Sequence, residues 1–226
     1  MKTLNKISLL IITFFAIACS KNEDTPAPAP TPAPLSVAFE GINTTVTAIP
    51  DATAVPVDAP AGTPPTPNPI EIPITIDKEG VIADGSKISI ELDLNHTWAG
   101  DLAVQVITPT GETFGLIKRI GSLVQYGTSG WGGSSTDFKA GNKLVFNSVF
   151  VTLIPTNDSS DIPAGNYKPT FGINIIPANV VEVPMATFFA NKNIKGIWKI
   201  KVYDCGNEDT GAVLGWKIKF DTGALK

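Results

Sequence analysis

Ile90-Glu91-Leu92-Asp93-Leu94-Asn95-His96-Thr97-Trp98-Ala99-Gly100-Asp101-Leu102-Ala103-Val104-Gln105-Val106-Ile107 is the stretch on which the fold of this 226-residue chain turns. Apolar and polar residues alternate with period two from Ile88 to Leu94 and again from Leu102 to Ile107, so each flank predicts a half-buried strand. Between them Gly100 permits positive φ and Asp101 can bond to its local backbone, which is turn chemistry. His96 to Leu102 is therefore read as a β-β corner. By alternation from Leu92 and Leu94, His96 points inward, where a neutral ring donates to a corner carbonyl and accepts from a hydroxyl.

Working outward, Ile70, Ile72, Ile74 and Ile76 alternate in the same way, with a turn at Asp77 to Gly80 and a short strand near Val81 after them. Further strands are expected at Thr113 to Lys118, Lys143 to Leu153 and Lys168 to Ile175. Ile197 to Tyr203 and Val213 to Phe220 are expected to pair with each other across a turn rich in Gly and Asp. Only Val183 to Ala190 offers a short helical turn. Many short strands with Gly-rich connections predict an all-β, jelly-roll β-sandwich over residues 69–226, long enough for one core.

The N-terminal part has a different composition. Lys2 and Lys6 precede an apolar run from Ile7 to Ile17, which is too short to span a bilayer and has the shape of a cleaved secretory signal over residues 1–18. Ala16-Ile17-Ala18-Cys19 resembles a bacterial lipobox, which implies acylation of Cys19 and a membrane anchor without a transmembrane helix. Ser20 to Asp24 resembles the polar, acidic segment that sends lipoproteins of Bacteroidetes-type bacteria to the outer face of the outer membrane. Thr25 to Pro34, TPAPAPTPAP, favours polyproline II and at roughly 3.1 Å per residue makes a stalk about 30 Å long. Residues 35–68 read as a loosely attached extension with one edge strand, because prolines interrupt everything after Ile49.

The string from Ile90 to Ile117 resembles the entry to the P domain, or P/Homo B domain, of proprotein convertases and bacterial kexin-like serine proteases. A His-Thr-aromatic-x-Gly-Asp-Leu corner and a strand ending in Thr108-Pro109-Thr110-Gly111 carry the likeness. Gly165 to Pro169, Phe189-Ala190-Asn191, Gly196 to Ile200, Asp204, Asp209-Thr210-Gly211 and Leu214 to Ile218 continue it in the family's order. The resemblance implies a galactose-binding-like sandwich of P-domain type, in which His96, Thr97, Trp98 and Gly100 form a structural corner. Such domains usually follow a subtilisin-like catalytic domain and often bind calcium. Asp93, Asp101, Asp204 and Asp209 are accordingly the candidate calcium ligands, since the ion takes six to eight oxygens from carboxylates and carbonyls. The alternative for these aspartates is turn capping.

Catalysis by this chain is not expected. It has one histidine, His96, and that residue belongs to the corner. Gly127-Thr128-Ser129 resembles a subtilase nucleophile loop, but Gly130 to Gly133 follows in place of a helix. The charge balance, 17 basic against 21 acidic groups with no cationic block, excludes nucleic acid as a partner. With Cys19 acylated, Cys205 is left alone and is expected to pack as a small apolar side chain. In the Gly- and Ser-rich insert from Gly121 to Lys143, Tyr126 and Trp131 either stack on a surface glycan or peptide or fold back over the core. Two roles follow for a protein lipid-anchored in the outer membrane and facing outward. One is a non-catalytic binding or adhesion module. The other is an accessory to proteolysis that stabilises or targets a separate secreted serine protease.

Overall fold

The computed structural model describes residues 38–122, 133–156, 161–170 and 183–226. Alternation does its expected work in β4 (Ile88–His96): Ile88, Ile90, Leu92 and Leu94 are buried, whereas Glu91, Asp93 and Asn95 on the opposite face keep partial access to solvent. β4 is a central strand of a six-stranded sheet. Its neighbours are β10 (Gly211–Phe220) on one side and β7 (Leu144–Phe146) on the other, with β8 (Gly165–Tyr167) beyond β7. β1 (Phe39–Asn43) and β2 (Thr47–Ile49) both pair with the far side of β10. The pairing is antiparallel except between β7 and β8.

The second sheet has four antiparallel strands in the order β3 (Ile70–Ile76), β9 (Gly196–Asp204), β5 (Leu102–Ile107) and β6 (Thr113–Ile117). Pro73 lacks an N–H and sits in β3, an edge strand, where the missing donor is tolerated. The two sheets enclose one apolar core, so the fold is an all-β sandwich. Trp198 of β9 is fully buried in it and packs on Phe189 and Phe220 at ring separations of 5.8 and 6.4 Å. Its indole N–H donates to the Ile194 carbonyl at 2.7 Å, which satisfies the one polar atom that burial would strand. α1 (Met185–Phe189) contributes Met185, Phe188 and Phe189 to the same core.

Four expectations need correction. β9 and β10 do not form a hairpin. They lie in opposite sheets, and residues 205–210 carry the chain across. The strand expected at Lys143 to Leu153 stops at Phe146. There Asn147 takes over, its amide donating to the Ser86 and Ile88 carbonyls and its Oδ1 accepting from the Val149 N–H. The strand expected from Lys168 is displaced to Gly165–Tyr167, and Phe171 to Ile175 fall outside the described residues. Residues 39–49 are not loosely attached: β1 and β2 both pair with β10, and Ala52 N–H and the Asp51 carboxylate bond Gly206 O and Glu208 N–H at 3.2 and 2.9 Å.

Candidate functional site

β4 ends at His96 in one sheet and β9 ends at Asp204 in the other, and the two strand ends meet inside the sandwich. His96 Nε2 lies 2.9 Å from Asp204 Oδ2, with both side chains fully buried. The other ring nitrogen, Nδ1, lies 3.0 Å from the Trp98 carbonyl oxygen. Asp204 Oδ1 accepts from the Gly206 N–H at 3.1 Å. The expected inward orientation of His96 and its carbonyl partner are present, but its second partner is a carboxylate and not a hydroxyl. Burial acts to lower the His96 pKa. The bond to Asp204 and its charge, the Trp98 carbonyl and the Asp101 charge outweigh burial and leave it raised.

The corner itself is a short 3-10 turn, Ala99–Asp101, that passes the chain from one sheet to the other. Asp101 closes it: its N–H donates to Trp98 O at 3.2 Å and its carbonyl accepts from Cys205 N–H at 3.0 Å. Its carboxylate rests against Gly206, where a Cβ would lie 2.1 Å from Oδ2. Burial, with the Asp204 charge added to it, pushes the Asp101 pKa up to about 6, with Arg119 acting in the opposite direction. Thr97 Oγ1 donates to Asp209 Oδ1 at 2.9 Å, which pins the loop after β9 to the corner. Cys205 is buried, and burial pushes its thiol pKa up, so it is a poor nucleophile. Trp98, at the same corner, is 37% exposed.

The aspartates fall into two groups. Asp93 faces outward from β4 and accepts from the Gly141 N–H at 2.8 Å. Asp101, Asp204 and Asp209 lie close enough to interact electrostatically, but Asp204 is occupied by His96 and Gly206 and Asp209 by Thr97. Among the described residues no three His, Cys, Asp or Glu side chains converge to hold a metal ion. Cys19, Tyr126 and Trp131 lie outside the described residues.

Two parts of the corner escaped sequence reasoning. Arg119, the chain's single arginine, is 2% exposed and donates from Nε to the Gly100 carbonyl at 3.1 Å. A lone guanidinium in a lysine protein, directly after a strand, was the available signal. The second part is residues 133–138. Gly100 N–H donates to Ser134 O and Ala99 N–H to Thr136 O, both at 2.8 Å, and His96 exchanges two backbone bonds with Phe138.

The pKa shifts give a pH prediction. A raised folded-state pKa contributes stability that is full below the unfolded value and is lost as pH rises through the folded value. For Asp101 the loss runs from about pH 4 to above pH 6, and for His96 it begins above its ordinary 6.5. Asp101→Asn removes the first of these. Relative to the parent, the variant should gain about 3 kcal/mol between pH 4 and pH 8, from a shift of about two units. Urea unfolding at both pH values measures the difference, and an unchanged gap between the proteins would contradict it.

No family model matches the chain, and neither does any curated protein. Among solved structures it is similar to a serine protease of Aeromonas sobria, at 10% identity and a TM-score of 0.37, over 85% of this chain and 28% of that one. It is also similar to the complex of the Aeromonas sobria serine protease with the chaperone ORF2, at 10% identity and a TM-score of 0.34, over 83% and 27%. The chain spans less than a third of the length of either chain.

Proposed function

We propose that this chain is a non-catalytic binding module, a P-domain-like sandwich held outside the outer membrane by a lipid on Cys19 and a Pro-rich stalk. The observation that carries the reading is the use made of His96. The chain's single histidine is fully buried and engages Asp204 and the Trp98 carbonyl with its two ring nitrogens. No imidazole is left to take a proton from a serine or a thiol, which a triad mechanism requires. What remains is a rigid body with loops at its ends, a usual arrangement for recognition.

A second reading, accessory to a separate serine protease, is favoured by the way the P-domain landmarks gather. Thr97, Asp101, Asp204 and Asp209, up to 112 residues apart, interlock at one corner. Incubating the full chain with denatured casein, alone and with a subtilisin-type protease, tests both readings. Cleavage by the chain alone would overturn the first. A rise in the protease's thermal midpoint on mixing would favour the second, and an unchanged midpoint the free-standing module.

A further inference from the structure

Lysine is the commonest surface cation here, and its distribution is uneven. Between residues 78 and 219, Lys87, Lys139, Lys143, Lys192, Lys195, Lys199, Lys201, Lys217 and Lys219 each sit against a carboxylate within 4.0 Å. Lys78 lies over the Phe39 ring, 5.0 Å from its centre. The two that remain, Lys118 and Lys168, have no ion pair among the described residues, and both line one cleft of about 320 Å³. Two uncompensated cations on the walls of one cleft, in a chain of net charge −4, set a local field opposite to that of the whole molecule.

The cleft is firmly held. Ile120, Ile154 and Pro169 form its apolar wall, Leu153, 60% exposed, stands at its side, and Arg119, Thr156 and Thr170 add polar groups to the lining. Lys168 N–H donates to Thr152 O at 2.7 Å, Thr170 N–H to Leu116 O at 3.0 Å, and Lys118 N–H to Thr170 Oγ1 at 3.0 Å. These bonds fix both lysine backbones relative to each other, so the spacing of the cations is set before any ligand arrives. The volume falls at the small end of the roughly 300–1,000 Å³ range of ligand sites. Among the described residues no aromatic ring lines the cleft.

We propose that this cleft binds an acidic peptide segment of a partner protein, with an apolar side chain against Leu153 and Ile154 and carboxylates at Lys118 and Lys168. The inference rests on the binding-module reading and gives that module its ligand class. The test uses the full chain and a fluorescein-labelled peptide of alternating glutamate and leucine, followed by fluorescence anisotropy. Saturable binding is expected, weakened by salt, and about tenfold weaker in the Lys118→Gln/Lys168→Gln double variant, since each exposed pair contributes up to about 1 kcal/mol. Leu153→Ser should weaken it as well, and Lys143→Gln, whose lysine is paired with Glu91, should not.

No saturable binding, equal affinity in the double variant, or tighter binding of polygalacturonate or free citrate than of the peptide at matched ionic strength would overturn the proposal. Mass spectrometry of the recovered peptide separates the two readings. A peptide that is bound and then cleaved would leave this cleft standing and defeat the non-catalytic reading, whereas an intact, unbound peptide would defeat the cleft alone.

Discussion

Asp204→Ala should be among the most destabilising single substitutions in this protein, at about 3–5 kcal/mol, because it removes the carboxylate of a buried, hydrogen-bonded histidine–aspartate pair and leaves its partners without an acceptor. In the parent, the Asp204 carboxylate takes the His96 ring N–H on one oxygen and the Gly206 N–H on the other, with both side chains fully buried. Alanine strands both donors in a dry site and removes the main interaction that raises the His96 pKa. A loss of this size is a large share of the roughly 5–15 kcal/mol that holds a domain together. Replacing both residues by leucine should recover much of it, since an apolar pair needs no partner. Urea denaturation of the parent, the two single variants and the double variant completes the cycle. A midpoint for Asp204→Ala within 1 kcal/mol of the parent, on the scale set by the buried-pair losses above, would refute the assignment of the pair as the lock between the sheets.

Gly100→Ala is the second. A Cβ at residue 100 would lie 2.4 Å from Gly133 Cα, 2.5 Å from its carbonyl carbon and 2.7 Å from Ser134 N, all backbone atoms that no rotamer can move aside. The two strands of chain must separate, and the separation costs the Gly100 N–H bond to Ser134 O and strains the Arg119 bond to Gly100 O. About 3 kcal/mol or more is expected, which lowers the thermal midpoint by roughly 6–12 °C in a chain of this size. Gly133→Ala fails against the same contact from the other side, its Cβ lying 2.4 Å from Gly100 Cα, so the double variant should be little worse than either single one. Gly80→Ala is the control, because its Cβ would meet only side-chain atoms at 3.4 Å or more. Equal midpoints for Gly80→Ala and Gly100→Ala would show that the close approach is dispensable.

Much of the sandwich was legible because period-two alternation reports which side of a strand is buried. β3, β5 and β6, and β4 through Leu94, fall where Ile70 to Ile76, Leu102 to Ile107, Thr113 to Lys118 and Ile88 to Leu94 place them. Alternation does not report which sheet a strand joins. Trp198, Ile200 and Val202 of β9 and Val213, Trp216, Ile218 and Phe220 of β10 face one core from opposite sides, and that pattern is the same as for a hairpin. Nor does it distinguish a strand from an extended surface segment. Val149, Val151 and Leu153 alternate correctly and are 64%, 85% and 60% exposed, because Asn147 has already diverted the chain with side-chain bonds.

The corner was legible as a turn, and its landmark residues were picked out, but their contacts were not. His96 and Asp204 are 108 positions apart, and nothing local in either stretch names the other. Arg119 and residues 133–138 were missed for the same reason. Their partners are backbone carbonyls and N–H groups, which carry no side-chain signature.

The attachment of β1 bears on how the domain withstands force. Tension delivered through the chain that precedes Ala38 enters at Phe39, the first residue of β1, which is paired with Phe220 and stacks on its ring at 5.8 Å. A pull along the strand axis loads the pairs from Phe39 to Asn43 in shear, so that they resist together, while a pull across the sheet opens them in succession like a zip. Lys78 over the same Phe39 ring and the Lys217–Glu40 pair reinforce that first turnbuckle. A pull on the chain before Ala38 would thus be borne first by a segment that composition alone reads as loosely attached.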